Sequence, residues 1–145
     1  GVTDVRNVGA IARSALCCGA QGLILPTSSS ASLTEEAVKT SAGALRKILL
    51  CRTPSVQQAI DLLQLNGIQV LGTQMKGSVP IYETNMVLPT CIVMGAEDTG
   101  IGKEVIKRAD QLIRIPMAKD FDSLNVSVAA GMILYEALRQ RLLTP

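Results

Sequence analysis

The sequence predicts an α/β fold with a mainly parallel sheet flanked by helices. Short apolar runs alternate with longer stretches of helical periodicity along the whole chain. Capping and stop residues fall at the joints between them. The composition, 48% hydrophobic but only 2% aromatic, calls for an aliphatic core. At 145 residues the chain is expected to form one domain. A chain of this size buries roughly 70% of its unfolded surface, so it needs no disulfide or metal to fold.

Taken in order, "NVGAIARSALCCGA" reads as a helix capped by Asn7 and closed near Gly19. "GLILP" is a buried strand. "LTEEAVKTSAG" is a second helix with Thr34 as N-cap, and "KILLCR" a strand. "TPSVQQAIDLLQLNG" is a helix with Pro54 near its first turn and Gly67 beyond its end. "IQVLGTQ" and "TCIVMG" are strands, and "AEDTGIG" leads to a short helix, "KEVIKRA". "QLIRIP" is the last strand, and "NVSVAAGMILYEALRQRLL" the closing helix. The stretch from Lys76 to Pro89 is the least regular, with room for one short element.

The closing helix is apolar nearly all round. Val126, Ala129, Ala130, Ile133 and Ala137 form one stripe, which Met132, Leu134 and Leu138 widen. Such a helix is buried on more than one side. A sheet covers one side and a second subunit the other, so a homodimer through this helix is expected.

Several classes are excluded. No apolar run reaches the roughly 18 residues that span a bilayer. Cys17, Cys18, Cys51 and Cys91 form no C-x-x-C pair and the chain has no His, so no metal site is expected. Each Cys sits in an apolar run and is expected to be a small core residue in a reducing, cytoplasmic setting. A net charge of +2 permits an RNA partner without demanding one. The basic residues are scattered, with small clusters at Arg46-Lys47 and Lys107-Arg108.

In open α/β sheets, ligands bind beyond the carboxyl ends of strands. Three such ends carry unusual loops here: "LGTQMKG", "VMGAEDTGIG" and "IPMAKDFDSLN". The second is not a phosphate loop. Its glycines at 95, 100 and 102 are wrongly spaced for a dinucleotide turn, and Glu97 would repel a pyrophosphate. A Walker motif fails as well, because Glu104 follows Lys103 where Ser or Thr is needed. Gly9 interrupts a helix one turn before Arg13 and leaves bare backbone, for a ligand, a second chain or a packed helix. In "SLNVS", Ser123 or Asn125 can serve as a helix N-cap.

Together, "NVGAIARSA", "VMGAEDTGIG" and "IPMAKDFDSLNVSVAAG" resemble the three motifs of the SpoU (TrmH-like) RNA 2′-O-ribose methyltransferases of the SPOUT superfamily. The order and spacing match over essentially the whole chain. "GVTDVRNVGAIARSA" and "SLNVSVAAGMILYEALRQR" are similar to the branch that methylates a guanosine of 23S ribosomal RNA. The resemblance implies a C-terminal trefoil knot, a homodimer through the closing helix and S-adenosylmethionine folded into the knot. Residues 1–145 would be the catalytic domain, without the N-terminal RNA-binding domain that many members of the branch carry. A tRNA 2′-O-methyltransferase, or a non-catalytic RNA-binding module on the same fold, remain the alternatives.

Carried over residue by residue, the resemblance puts the cofactor against Thr73, Gly95, Ile115, Met117 and Leu124. The contacts would be backbone hydrogen bonds and apolar walls, which suit a neutral heterocycle. The catalytic group would be Asn7, Arg13, Glu97, Ser123 and Asn125. Methyl transfer requires aligned reactants and the removal of one proton. In this family the first-motif Arg is often assigned as base, although an arginine side chain, which holds its proton far above neutral pH, is a poor one. A charged Arg13 gripping an RNA phosphate, with water or Glu97 taking the proton, is the second reading. Two departures stand out: Val5-Arg6 replaces a Pro-containing pair, and Lys119, Asp120 and Asp122 charge the knot loop.

Overall fold

The computed structural model describes residues 4–27, 34–96, 99–119 and 123–145. Two parallel sheets carry the fold. One pairs β1 (Gly22–Pro26) with β2 (Leu49–Thr53). The other runs β4 (Val79–Pro80), β6 (Gln111–Arg114), β3 (Gln69–Thr73), β5 (Thr90–Val93). Every strand pair is parallel, as the alternation of strands and helices predicts. The helices are α1 (Val5–Cys17), α2 (Glu35–Thr40), α3 (Val56–Leu65), α4 (Lys103–Arg108) and α5 (Val126–Leu143). The irregular stretch holds β4 and a short 3-10 turn at Ile81–Glu83.

The helix ends follow local chemistry. Thr34 caps α2 by accepting the Ala37 N–H, and Ser55 caps α3 by accepting that of Gln58. Gly19, at φ +83°, closes α1 while the Ala20 N–H reaches back to the Ala15 carbonyl at 2.8 Å. One cap differs from expectation. Asp4, not Asn7, starts α1, its carboxylate accepting the Arg6 N–H at 2.8 Å. The helix therefore begins earlier, and Asn7 becomes a buried residue of its first turn.

Three apolar clusters hold the layers. Leu71, Ile81, Met86, Ile113 and Ile133 join the larger sheet to α5. Ala12, Ala37, Ala44 and Leu45 join α1 to α2 and to the 3-10 turn Ala44–Arg46. Ile60, Val70 and Val105 hold α3 and α4 on the opposite face. The small residues in the second cluster let helix backbones approach closely. Gly9 is part of that contact: a Cβ there would overlap the Ala37 carbonyl oxygen and lie 3.0 Å from the Thr40 Cβ. Its bare backbone is thus covered by α2.

Cys17 and Cys51 depart from expectation, whereas Cys91 packs against the cluster of Ile60, Val70 and Val105 as expected. Cys17 and Cys51 are exposed, Cys18 and Cys91 are partly buried, and all four are free thiols. Cys17 lies on the outer crest of α1 and Cys51 on the outward face of β2, beyond the reach of the clusters. Burial pushes the Cys91 thiol above its usual range. Among the described residues, no helix is long and apolar enough to cross a membrane.

A polar clasp locks the end of α5. Glu136 is buried and accepts two bonds from Arg139, both at 2.8 Å, which hold its carboxyl below the usual range. Gln140 accepts the Met86 N–H at 2.8 Å and donates to the Thr84 carbonyl at 2.9 Å. Arg141 donates to the Met86 and Leu88 carbonyls. An irregular loop thereby satisfies its backbone on helix side chains.

Because the Gly9 clash is with backbone rather than with a movable side chain, Gly9→Ala is expected to lower unfolding free energy by about 1–3 kcal/mol. Urea denaturation reads this directly. An unchanged midpoint would show that α2 can move aside freely.

Candidate functional site at the strand ends

The parallel register brings three strand ends to one edge. Gly72 pairs with Val93, and Thr73 with Ile113. The loops that leave β3, β5 and β6 therefore start side by side. Their first residues are tied together: the Thr73 hydroxyl donates to the Val93 carbonyl at 3.1 Å, and the Gln74 N–H to the Ile113 carbonyl at 2.9 Å.

Each loop has its own constraint. Gly95 has no room for a side chain, because a Cβ would overlap the Gly100–Ile101 peptide folded over it. The Gly100 N–H closes that turn on the Ala96 carbonyl at 2.9 Å, with Gly100 at φ +68°. Glu97 lies outside the described residues, as do Asp120 and Asp122. Ile115, Met117 and Leu124 are half-buried, and Ile115 packs against the cluster of Leu71, Ile113 and Ile133. The edge thus sets tightly tied backbone between apolar walls, a lining of the kind that suits a neutral heterocycle. Among the described residues, no cluster of Cys, Asp and Glu could hold a metal ion.

The α1–α5 contact brings two candidate residues together. Asn125 caps α5, its Oδ1 accepting the Ser127 and Val128 N–H groups at 2.9 and 3.3 Å. Its Nδ2 donates to Asn7 Oδ1 at 3.2 Å, across 118 positions of sequence. Gly131 faces α1 in the same contact, with the Ser14 hydroxyl 3.6 Å from where its Cβ would stand, room enough for a methyl group. Of the two proposed caps, Asn125 therefore fills the role. Ser123 is exposed just before it.

Arg13 is not brought to this pair. It shares the exposed crest of α1 with Arg6 and Cys17, about 120° round the helix from Asn7 at 100° per residue. Arg6 is engaged by Asp4 at 3.2 Å. Arg13 has no hydrogen-bond or ion-pair partner among the described residues.

Sequence reasoning missed Arg114. Its guanidinium donates to the Ser78 carbonyl and pins the loop after β3 against the end of β6. A lone arginine inside the apolar run "QLIRIP" was the available signal.

Comparison with known proteins places these features in company. The family model described as "SpoU rRNA Methylase family" matches residues 1–135. The 23S rRNA (guanosine-2'-O-)-methyltransferase RlmB of Pseudomonas syringae is 42% identical over 141 residues, 97% of this chain and 56% of the relative. The protein of that name from Haemophilus influenzae is 43% identical over 143 residues, 98% of this chain and 58% of the relative. The chain thus spans little more than half the length of these relatives. The crystal structure of the SpoU methyltransferase AviRb from Streptomyces viridochromogenes with AdoMet superposes with a TM-score of 0.90. Its identity is 32%, over 97% of this chain and 57% of that one. The A. aeolicus TrmH/SpoU tRNA modifying enzyme gives 0.89 at 32% identity, over 98% of this chain and 72% of that one.

Asn125→Ala removes the cap and the bond to Asn7, and is expected to cost about 1–2 kcal/mol in unfolding free energy. Asn125→Asp keeps the cap acceptor and should recover most of that loss while still lacking the donor to Asn7. Paired denaturation curves distinguish the two contributions. Equal losses in both variants would mean that the inter-helix bond, not the cap, holds this end of α5.

Proposed function

The chain belongs to the SpoU rRNA methylase family, and on that premise we propose that it methylates a ribose 2′-hydroxyl in RNA, using S-adenosylmethionine. The names of its relatives point to a guanosine of 23S ribosomal RNA as substrate. Residues 1–145 would act as the catalytic domain, in the cytoplasm. The observation that carries this reading is the Asn7–Asn125 bond. It joins the first motif to the third at the helix start that follows the third strand-end loop.

In this reading, the backbone of Gly95, Ile115, Met117 and Leu124, with Thr73, holds the adenosine portion between apolar walls. When bound, the cofactor supplies a methyl group made electrophilic by its sulfonium. The protein's part is alignment and the handling of one proton. Asn7 and Asn125 fix each other and the start of α5, the exposed Ser123 bonds the ribose, and Glu97 or water accepts the hydroxyl proton. Arg13 grips the adjoining phosphate through its guanidinium. The C-terminal part of the chain would form a trefoil knot. In support, β6 lies between β3 and β4, and the loop joining those strands is bonded across its end.

A homodimer completes the picture. Val128, Met132, Tyr135 and Leu142 recur at helical spacing on the outer face of α5, and each is 44% or more exposed. A second copy is the natural cover for that stripe.

Incubation with labelled cofactor and 23S ribosomal RNA should yield 2′-O-methylguanosine on nuclease digestion. Arg13→Ala should lower the rate about 100-fold or more with an unchanged pH–rate shape. Disappearance of an alkaline limb would instead make Arg13 the base, and cofactor binding without transfer would favour the non-catalytic module. Sedimentation should give a dimer that Met132→Glu dissociates; a monomeric unaltered chain would refute the dimer.

A further inference from the structure

Two basic pairs, Arg46-Lys47 and Lys107-Arg108, are alike in sequence and opposite in structure. Lys107 lies 3.8 Å from Glu104, and Arg108 reaches both carboxylate oxygens of Asp61, at 3.0 and 3.2 Å. Their charge is offset locally. Arg46 and Lys47 are exposed and have no ion-pair or hydrogen-bond partner among the described residues. The same holds for Lys39 on α2 and Arg52 on β2.

Lys39 and Arg46 meet at one shoulder of the molecule, and Lys47 and Arg52 flank it along the chain that enters and forms β2. Lys39 and Arg46 line a shallow depression together with Thr34, Glu35 and Val38. Lys47 is the next residue after Arg46. Leu50 packs against the cluster of Ala12, Ala37, Ala44 and Leu45, and strand alternation puts Arg52 on the same face of β2. Two acids belong to the shoulder: Glu35 in the depression, and Glu36, whose field reaches Arg6. The positive charge outnumbers them. The described tyrosines, Tyr82 and Tyr135, lie on other elements, so the shoulder offers charge without a stacking surface.

We propose that this shoulder, formed by Lys39, Arg46, Lys47 and Arg52, docks the RNA sugar–phosphate backbone outside the strand-end site. The inference rests on RNA being the substrate polymer. Exposed, unpaired cations gain most by taking up phosphates, because no internal carboxylate has to be displaced first. Contacts of this kind position a strand and do not read its bases. The shoulder borders the side of α1 that packs on α2, while α5 packs on the Asn7–Ser14 side. It therefore lies on a different side of α1 from α5.

The test compares matched double variants of the full 145-residue chain by the salt dependence of binding to transcribed 23S ribosomal RNA. This term is independent of sequence, so the target nucleotide need not be known. Arg46→Gln/Lys47→Gln should reduce the slope of log K against log salt by about 1.5 units, and Lys39→Gln/Arg52→Gln by a similar amount. Lys107→Gln/Arg108→Gln should leave it within about half a unit, since those cations are already paired. Thermal midpoints near that of the unaltered chain confirm folding. Equal losses at both basic pairs, or no loss at Arg46-Lys47, would overturn the proposal. Failure of the enzymatic reading would look different: no methyl transfer by the unaltered chain, with the salt slopes still distinguishing the pairs.

Discussion

The central constraint is the position of β6. It is the last strand in sequence, yet it sits between β3 and β4, with its backbone paired on both edges. Unpaired backbone groups inside a sheet are costly, so the strand has little freedom to leave. Once β6 is there, the segment after it must start beside the ends of β3 and β5. The loop between β3 and β4 must pass close to the end of β6, and Arg114 secures it by bonding the Ser78 carbonyl. Ile113, fully buried on β6, then gives Leu71 and Ile133 a shared contact, which fixes α5 over the sheet. The candidate site, the loop at its edge and the closing helix all follow from one strand insertion.

Helix α1 is the second organising element, because it serves two neighbours with different faces. One face carries Gly9 and Ala12 and approaches α2 closely. Another carries Asn7 and Ser14 and meets α5. Between them lies an exposed crest with Arg6, Arg13 and Cys17. The small residues act through absence: they let backbones pack at short range, and polar contacts such as Asn7–Asn125 form at the resulting distance. The cations then divide by location. On the α3–α4 side Lys107 and Arg108 are paired with carboxylates; on the α2–β2 side Lys39, Arg46, Lys47 and Arg52 have no such partner among the described residues.

Much of this was legible in the sequence. Alternation of strands and helices gave the parallel α/β class, and the stop and cap residues Gly19, Thr34 and Gly67 marked real ends. The three strand-end loops were correctly placed after β3, β5 and β6. Where sequence reasoning missed, competing local chemistry was the cause. Asp4 lies upstream of Asn7 and reaches the same helix start first. The cysteines sit in apolar runs, but helix and strand geometry turned Cys17 and Cys51 outward.

The sequence by itself determined which segments are helix and which are strand, because periodicity and capping act over a few residues at a time. It also carried the family through three ordered motifs. Only the tertiary structure decided which strands are neighbours, that Asn125 reaches Asn7, that Gly9 serves packing against α2, and which of two like basic pairs is free. Those outcomes depend on groups far apart in the chain meeting within a few ångströms. Asp61 and Arg108 are 47 positions apart, and Asn7 and Asn125 are 118. No local pattern encodes such a distance; the packing of the elements sets it.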